Sequence, residues 1–441
     1  MITTPAFAGQ RYAVLGLARS GLASVESLLA GGAEVTAWDN RDEACAPVAD
    51  RATIADPLTI DLAGYAGVVV SPGVPLNRHP IAAHAAAAGV PVIGDIELFA
   101  AARAGLPPHR VVGITGTNGK STTTALIHHL CAAAGLPALA GGNIGVPVLA
   151  TDPLPAGGVY VLELSSYQID LTRSLDCDVA CLINLSPDHL DRYDGFAGYA
   201  AAKARLFAMQ TPRHYAVFGR SDPHTAAIAA EVARGRPADH VIVPDPAQLA
   251  GQAHWPALAG PHNLENAAIA VAVAQVLGIG EAIWRPALVS FGGLRHRMER
   301  VGEAGGVLYV NDSKATNPAS TAPALAAWPR IHWIVGGLPK TDTLDECAPH
   351  FGNVVAAYTI GEAGPRFADL LSPHMPVQAS EMMADAVRQA MAAARPGDVV
   401  LLSPACASFD QFRDFEARGD AFRDIVTALI GEAGTPPAET R

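Results

Sequence analysis

An α/β fold built on parallel sheets and divided into three domains is predicted by three features of this sequence. The chain has 441 residues, roughly three times the ~150 residues that one ordinary core supports. Short Val-rich and Ala-rich strand-like runs alternate with helical stretches along the chain, which is the pattern of βαβ units. Glycine-rich turns follow strand-like runs at Gly16 and again between Gly113 and Ser121, where a parallel sheet presents the carboxyl ends of its strands to a ligand.

The first segment opens with a strand-like run from Arg11 to Gly16, a Gly-punctuated turn and a helical stretch from Leu22 to Ala30. Glu34 to Trp38 reads as a second strand ending at Asp39, and Gly67 to Val70 as a third running into Ser71, Pro72 and Gly73. Pro and Gly cluster between Gly94 and His109, ahead of a new strand at Arg110 to Gly113, so a linker is expected there. The central segment carries further strands at Val159 to Glu163 and Val179 to Asn184, and closes after Gly292 to Arg297. The last segment begins a new series at Val307 to Asn311, continuing through Ile331 to Val335 and Asp398 to Leu402, and its tail from Gly431 to Arg441 is expected to fray. Domains are therefore expected at 1–96, 97–299 and 300–441.

Composition narrows the function classes. Half of the residues are hydrophobic, 16% charged and 6% aromatic, a balance that suits layered α/β cores better than disorder. The net charge of −12 argues against general binding to nucleic acid or anionic membranes, and leaves room for a local cationic pocket. Cys45, Cys131, Cys177, Cys181, Cys347 and Cys406 form neither CxxC pairs nor a zinc pattern with histidines, so a reducing cytoplasm is the expected setting. Met1 to Gln10 has no basic stretch followed by an apolar one, and neither a signal peptide nor a membrane span is expected.

The strongest local motif is Gly113-Ile-Thr-Gly-Thr-Asn-Gly-Lys-Ser121, set between an apolar strand and a helical run from Thr122 to Ala134. Glycines let backbone N–H groups close around phosphate oxygens, Lys120 can reach the β- and γ-phosphates, and Ser121 can ligate Mg²⁺. Ile114 stands where a strict Walker A has its first glycine. Gly16-Leu-Ala-Arg-Ser-Gly21 with Asp39 at the next strand end imitates a dinucleotide fingerprint with Ala18 in the middle position; alone it is weak evidence, and NAD is not inferred.

Thr115 to Ser121 resembles the ATP loop of the Mur ligase family. Further motifs agree with that family in order and spacing: Gly141-Gly-Asn-Ile-Gly145, Glu163-Leu-Ser-Ser166, Asp188-His-Leu-Asp-Arg192, Ala202-Lys203, His262-Asn263, His296-Arg297, Asn311-Asp-Ser-Lys-Ala-Thr-Asn317 and Ser403-Pro-Ala-Cys-Ala-Ser408. Glu163 to Gln168 together with Ser403 to Phe412 is most similar to the glutamate-adding members. The resemblance implies a Rossmann-like N-terminal domain holding a UDP-sugar, a central P-loop ATPase-type domain, and a Rossmann-like C-terminal domain receiving the amino acid. It also implies an ATP-dependent amide ligase making a cytoplasmic peptidoglycan precursor from UDP-N-acetylmuramoyl-L-alanine and glutamate, with D-glutamate the expected enantiomer. A monomer is expected, with small-molecule substrates and without nucleic-acid or stable membrane partners.

Roles follow from the same resemblance. Gly116, Thr117, Asn118, Gly119, Lys120, Ser121 and Thr122 are expected at ATP, with Asn263, Asn266 and Arg297, and with Asp312 at the ribose. Ser121, Glu163, His189 and Lys203 are expected at two Mg²⁺ ions, Lys203 as a CO₂-derived carbamate, which would turn a cation into a metal-bridging anion. Leu17, Ala18, Arg19, Ser20, Asp39, Asn40, Arg41, Ser71, Pro72 and Gly73 are expected at the UDP group, with Asn143 and His189 at the sugar. Lys120, His189, Lys203 and Asn143 form the expected catalytic set, and Lys314, Thr316, Lys340, Ser408 and Phe415 the glutamate pocket. Asp312, Lys314 and Thr316 alternate after a strand, so an extended loop would turn all three to one cleft.

Taken singly, these residues have plainer explanations. Glu163 also suits a strand-end surface carboxylate, His189 a loop histidine, Lys203 a solvated helix-face lysine, and Asn143, Asn263 and Asn266 turn or cap residues. Two rivals from other classes fit less well: a non-catalytic UDP-sugar-binding protein of the same fold would be expected to lose Lys120, Glu163 or His189, all of which are present, and a dehydrogenase built on the first domain leaves Gly113 to Ser121 unexplained. A ligase of the folylpolyglutamate synthase type shares the ATP loop but lacks a domain matching residues 1–96.

Overall fold

The computed structural model describes residues 1–433, and among them the chain forms three sheets. It divides into two compact units, Met1–Pro246 with Asn266–Leu288, and Ala247–Glu265 with the chain from Val289 on.

The first unit carries two sheets. β1 (Arg11–Leu15), β2 (Glu34–Trp38), β3 (Thr53–Ile54), β4 (Gly67–Val70) and β5 (Val92–Ile93) lie in the order β3-β2-β1-β4-β5. All pairs are parallel, with Leu15 beside both Trp38 and Val70. β6 (His109–Thr115), β7 (Ala138–Gly142), β8 (Gly158–Glu163), β9 (Val179–Leu182), β10 (Tyr215–Phe218) and β11 (Val241–Ile242) form a second parallel sheet in the order β11-β10-β9-β6-β8-β7. Strands β4, β8 and β9 are buried along their whole length, because crossover helices cover both faces and every side chain meets a core. One core cluster runs from Ile2, Phe7 and Val14 through Phe99 and Tyr160 to Phe218, so the two sheets share packing.

In the second unit β12 (Glu299–Ala304), β13 (Val307–Asn311), β14 (Ile331–Gly336), β15 (Val354–Ile360), β16 (Val377–Glu381) and β17 (Val399–Leu402) take the order β12-β13-β17-β14-β15-β16. Only β12 runs antiparallel, against β13. Separate clusters fill its two faces, around Trp333 and Phe367 on one and around Tyr309, Val387 and Phe422 on the other.

Four sequence expectations change. The expected linker after Gly94 is an α-helix, Asp95–Ala102, followed by a 3₁₀ turn; Ile96, Leu98, Phe99 and Ala102 are buried, so an apolar stripe is hidden between the Gly and Pro that flank it. The Gly141 to Gly145 loop begins inside a strand, since Gly141 and Gly142 are the end of β7 and pair with Leu162 and Glu163. The last series starts at Glu299 rather than Val307, because the antiparallel β12 precedes it. The segment after Asn311 folds into a turn, with Ala315 N–H donating to the Asp312 carbonyl at 2.9 Å, so it is not extended. The tail from Gly431 is described only to Ala433, the last residue of the helix Phe415–Ala433, and 434–441 lie outside the described residues.

Candidate active site

The helix Lys120–Ala133 starts directly after Gly119, whose φ of +83° few residues other than glycine accept. A Cβ there would lie 2.4 Å from Asn266 Oδ1, so Asn266 packs on the loop itself. The end of β9 braces the other side: Asn118 N–H donates to Asn184 Oδ1 at 2.9 Å, Thr117 N–H to the Asn184 carbonyl at 2.9 Å, and Ser186 N–H to Thr117 Oγ1 at 3.0 Å. Lys120 Nζ folds back onto the carbonyls of Gly116 and Thr117, at 3.0 and 2.7 Å. Thr122 is half-buried on the first turn of the helix. The loop is therefore braced by its neighbours, with its lysine folded onto its own carbonyls.

Behind it lies a compact polar cluster. Glu163 ends β8 and is 2% exposed. Its carboxylate accepts from Ser121 Oγ at 2.6 Å and from Asn143 Nδ2 at 2.9 Å. Asn143 reaches it because β7 and β8 are neighbours and Gly142 pairs with Glu163. Gly142 is required there: a Cβ would stand 2.2 Å from the Glu163 carbonyl. Lys203, on the helix Gly195–Ala208, is 1% exposed. Its ammonium donates to Thr115 Oγ1 at 3.3 Å and lies 4.7 Å from the centre of the Tyr199 ring. Burial, with the Lys120 charge adding to it, holds its pKa well below the ordinary lysine value. His189 takes a left-handed φ of +52°; its side chain is 47% exposed and 3.5 Å from Asp188, with its ring 4.9 Å from that of Tyr167. Burial lowers its pKa against the opposing pull of Asp188, and the Lys203 and Lys120 charges lower it further.

Among the described residues no three His, Cys, Asp or Glu side chains form a metal cluster. One buried carboxylate hydrogen-bonded to a hydroxyl is nonetheless the hard-oxygen donor pair Mg²⁺ takes when substrate phosphates supply the rest. Ser121 and Glu163 fit that ion.

In the N-terminal sheet the loop after β1 is anchored by Asp39, whose carboxylate accepts from Leu17 N–H at 2.8 Å and from Arg41 N–H and Nε at 3.1 and 3.3 Å. Burial alone would raise this carboxyl, but the Leu17 and Arg41 bonds and the Arg41 charge outweigh it and hold it below its ordinary value. Ser71 Oγ donates to the Gly16 carbonyl at 2.8 Å. Helix Arg19–Ala30 begins at Ala18 without a side-chain cap, and Arg19 Nη2 donates to the Gly145 carbonyl. Ala18, Arg19, Asn40, Arg41 and Gly73 are exposed around this helix start, Ser20 and Pro72 partly so, and Leu17 is buried. An uncapped helix start with two exposed arginines, Arg19 and Arg41, nearby suits an anion. Asp39 itself is committed to shaping the loop.

In the second unit Lys314 Nζ lies 3.5 Å from the centre of the Phe415 ring, and Lys340 Nζ donates to Thr316 Oγ1 at 3.3 Å. Ser408 is buried, and its carbonyl accepts from the Gln411 and Phe412 amides. Asp312 is turned inward, accepting from Ser403 Oγ at 2.8 Å and Met298 N–H at 3.1 Å. Burial raises its pKa to about 7 against those bonds and the Arg297 charge. Asn263 donates to the Ala259 carbonyl at 2.9 Å within the first turns of the helix Pro261–Val276. His296, of the His296-Arg297 motif, is buried and bonded to Asn311 Nδ2 at 3.1 Å.

Asn311, Ser313 and Ser403 stand in the family motifs without an expected role of their own, and no role was expected of Asn184, Tyr199 or Arg418. Asn184, just past the end of β9, carried a usable signal, since polar residues at carboxyl ends of parallel strands line ligand sites. Arg418 carried none, because an arginine on a helix reads as solvated.

Three family models match the chain: Mur ligase MurD-like, N-terminal domain, at 10–94; Mur ligase middle domain, at 114–244; and Mur ligase, glutamate ligase domain, at 296–406. A protein of Novosphingobium aromaticivorans named UDP-N-acetylmuramoylalanine--D-glutamate ligase is 75% identical over 99% of this chain and 98% of its own length. One of the same name from Sphingopyxis alaskensis is 60% identical over 97% of this chain and all of its own length. Among solved structures, the MurF ligase of Thermotoga maritima in complex with ADP superposes with a TM-score of 0.60 at 15% identity, covering 97% of this chain and 96% of that one. E. coli FolC in complex with DHPP and ADP gives 0.55 at 19% identity, covering 76% of this chain and 94% of that one. With a matched domain in each third of the chain and full-length relatives at this identity, the chain belongs to the Mur ligase family.

Proposed function

We propose that this chain is an ATP-dependent ligase joining D-glutamate to UDP-N-acetylmuramoyl-L-alanine, a step of peptidoglycan precursor synthesis. The full-length likeness to proteins so named supports the choice of acceptor and amino acid. The observation that carries the chemistry is the buried Ser121–Glu163–Asn143 cluster directly behind the Lys120 loop.

The alanyl carboxylate attacks the γ-phosphorus of ATP and ADP leaves, giving an acyl phosphate; the glutamate amine then attacks that carbonyl, phosphate leaves and the amide forms. Both partners of the first step are anions, so charge neutralisation is the main task. Lys120 leaves its loop carbonyls to meet the β- and γ-phosphates, with Gly116, Thr117, Asn118, Gly119 and Thr122 around them and Asn263, Asn266, Arg297 and Asp312 toward the nucleoside. Ser121 and Glu163 would hold one Mg²⁺, and His189 with a carbamylated Lys203 would hold a second. When bound, the ions screen the repulsion between carboxylate and phosphate. Burial of Lys203 favours its neutral amine, which adds to CO₂ with loss of a proton. Asn143 and His189 orient the sugar, while Leu17 to Ser20, Asp39 to Arg41 and Ser71 to Gly73 receive the UDP group. Lys314, Thr316, Lys340, Ser408 and Phe415 receive glutamate. Domains at 1–96, 97–299 and 300–441, a cytoplasmic location and a monomeric state complete the proposal; no described helix is long and apolar enough to cross a membrane.

The test is phosphate release from ATP with UDP-N-acetylmuramoyl-L-alanine, offering D-glutamate, L-glutamate, meso-diaminopimelate and L-lysine separately. Release with D-glutamate alone, with the ligated product seen by mass spectrometry, is expected. Release with none of the four overturns the acceptor and amino-acid assignment and redirects the assay to folate-type acceptors.

A further inference from the structure

Arg418 lies in the helix Phe415–Ala433, yet its side chain is buried, with 1% of the residue exposed. Its guanidinium donates four hydrogen bonds. Nε reaches Ser313 Oγ at 3.0 Å, Nη1 the Ala407 carbonyl at 3.0 Å, and Nη2 the carbonyls of Ser313 and Cys406 at 2.9 and 3.0 Å. All four acceptors are neutral. Burial lowers the group to about 10, so it remains a cation at neutral pH. Taking a guanidinium out of water with no carboxylate hydrogen-bonded to it, and only the charge of Asp410 nearby, is costly, and a hydrophobic side chain would fill the space without that cost. What only arginine supplies is a rigid planar fork that bonds several segments at once.

The segments it bonds are those of the proposed amino-acid pocket. Ser313 precedes Lys314 and stands three residues before Thr316, and its hydroxyl passes the link on to the Phe415 carbonyl at 2.8 Å. Ala407 precedes Ser408. The same Ala407 carbonyl accepts from Leu338 N–H at 3.0 Å, and Ala407 N–H returns a bond to the Leu338 carbonyl at 2.9 Å, two residues before Lys340. The approach is tight: a Cβ on Gly337 would sit 2.4 Å from the Ala407 carbonyl and 3.0 Å from Arg418 Nη1. Each of the five pocket residues is thus within three positions of an atom in this network.

We infer that Arg418 is a positioning residue for the amino-acid half of the reaction: its fork bonds the Ser313 and Cys406–Ala407 loops directly and, through Ala407 and the Ser313 hydroxyl, keeps the Leu338 loop and the helix start in register around a pocket for a dicarboxylic amino acid. This rests on the proposed assignment of Lys314, Thr316, Lys340, Ser408 and Phe415 to glutamate. It makes no claim on ATP or on the UDP-sugar, whose apparent affinities it predicts to be independent of Arg418.

The experiment is steady-state kinetics of wild type, Arg418→Lys and Ser313→Ala, with each of the three substrates varied in turn. Lysine keeps the charge and loses the fork; Ser313→Ala removes one acceptor and the link to Phe415 while sparing the buried cation. The KM for D-glutamate is expected to rise about tenfold or more in Arg418→Lys and about threefold in Ser313→Ala, below the ~10²-fold that a misplacement of about 1 Å can cost, with the KM for ATP and for the UDP-sugar held within about twofold. An unchanged glutamate KM, or all three KM values rising together, overturns the inference. Should Arg418→Lys prove insoluble, Ser313→Ala decides on the same criteria. Wild type lacking any glutamate-dependent turnover defeats the proposed function itself, and this inference with it, an outcome distinct from an active wild type with indifferent variants.

Discussion

Glu163 shows how burial converts a common residue into a committed one. A strand-end glutamate in water needs no partner; at 2% exposure it holds Ser121 and Asn143 at once. Glu163→Gln keeps the shape and removes the charge that would help hold Mg²⁺, so stability should change little while kcat falls by ~10²–10³, the size of effect expected when the transferring phosphoryl group loses one stabilising positive charge; thermal melting and phosphate release on one preparation check both. Asp312 makes the opposite case, a carboxyl raised to about 7. Because its folded value lies above its unfolded value, its contribution to stability is fully present below about pH 4 and is lost as pH rises through about 7. Asp312→Asn abolishes that titration, and Ser403 Oγ can instead accept from the amide while turning its own proton to Thr321 Oγ1, 3.2 Å away. Urea midpoints between pH 5 and 8 should fall more steeply for wild type than for the variant.

At the scale of elements, close approach decides which glycines matter. Gly119 and Gly135 both have positive φ, +83° and +71°, but a Cβ at Gly135 meets open space while one at Gly119 meets Asn266 at 2.4 Å. Gly119→Ala should therefore cost ~1–3 kcal/mol and raise the KM for ATP, and Gly135→Ala should cost only ~1 kcal/mol and leave it unaltered; chemical denaturation with ATP titration separates the two. The elements themselves were legible where a buried parallel strand writes a continuous apolar run, as in β4, β8 and β9. They were less so where a signal was masked. Asp95–Ala102 carries an apolar stripe, but the flanking Gly and Pro make the segment read as a linker, and the polar β12 has only a partly buried face and no clean alternation. The turn at Asp312 to Lys314 was misread as extended because alternation of functional residues says nothing about where their backbone amides bond.

At the scale of the whole molecule, the six cysteines are all free and all buried. Burial pushes the thiols of Cys131, Cys177, Cys347 and Cys406 up to about 11 to 12, far from the thiolate that reacts. Native protein should then resist thiol reagents for hours and react at all six positions once denatured, which alkylation followed by mass spectrometry measures; fast native labelling would contradict this packing. The low thiolate fraction agrees with ligase chemistry that needs no sulfur nucleophile.

The residue types of the candidate site, their order and their places at strand ends and helix starts are written in the sequence itself, because glycine conformations, strand–turn–helix junctions and motif spacing are local properties of the backbone. Partnership is not local. Ser121 meets Glu163 42 positions away, Asn143 meets it because β7 lies beside β8, and Arg418 meets Ser313 across 105 positions, within a sheet where β17 lies between β13 and β14. Which carboxylate binds a hydroxyl, which lysine loses its water and which arginine becomes a hub depend on sheet order and burial, and those exist only after the chain has packed.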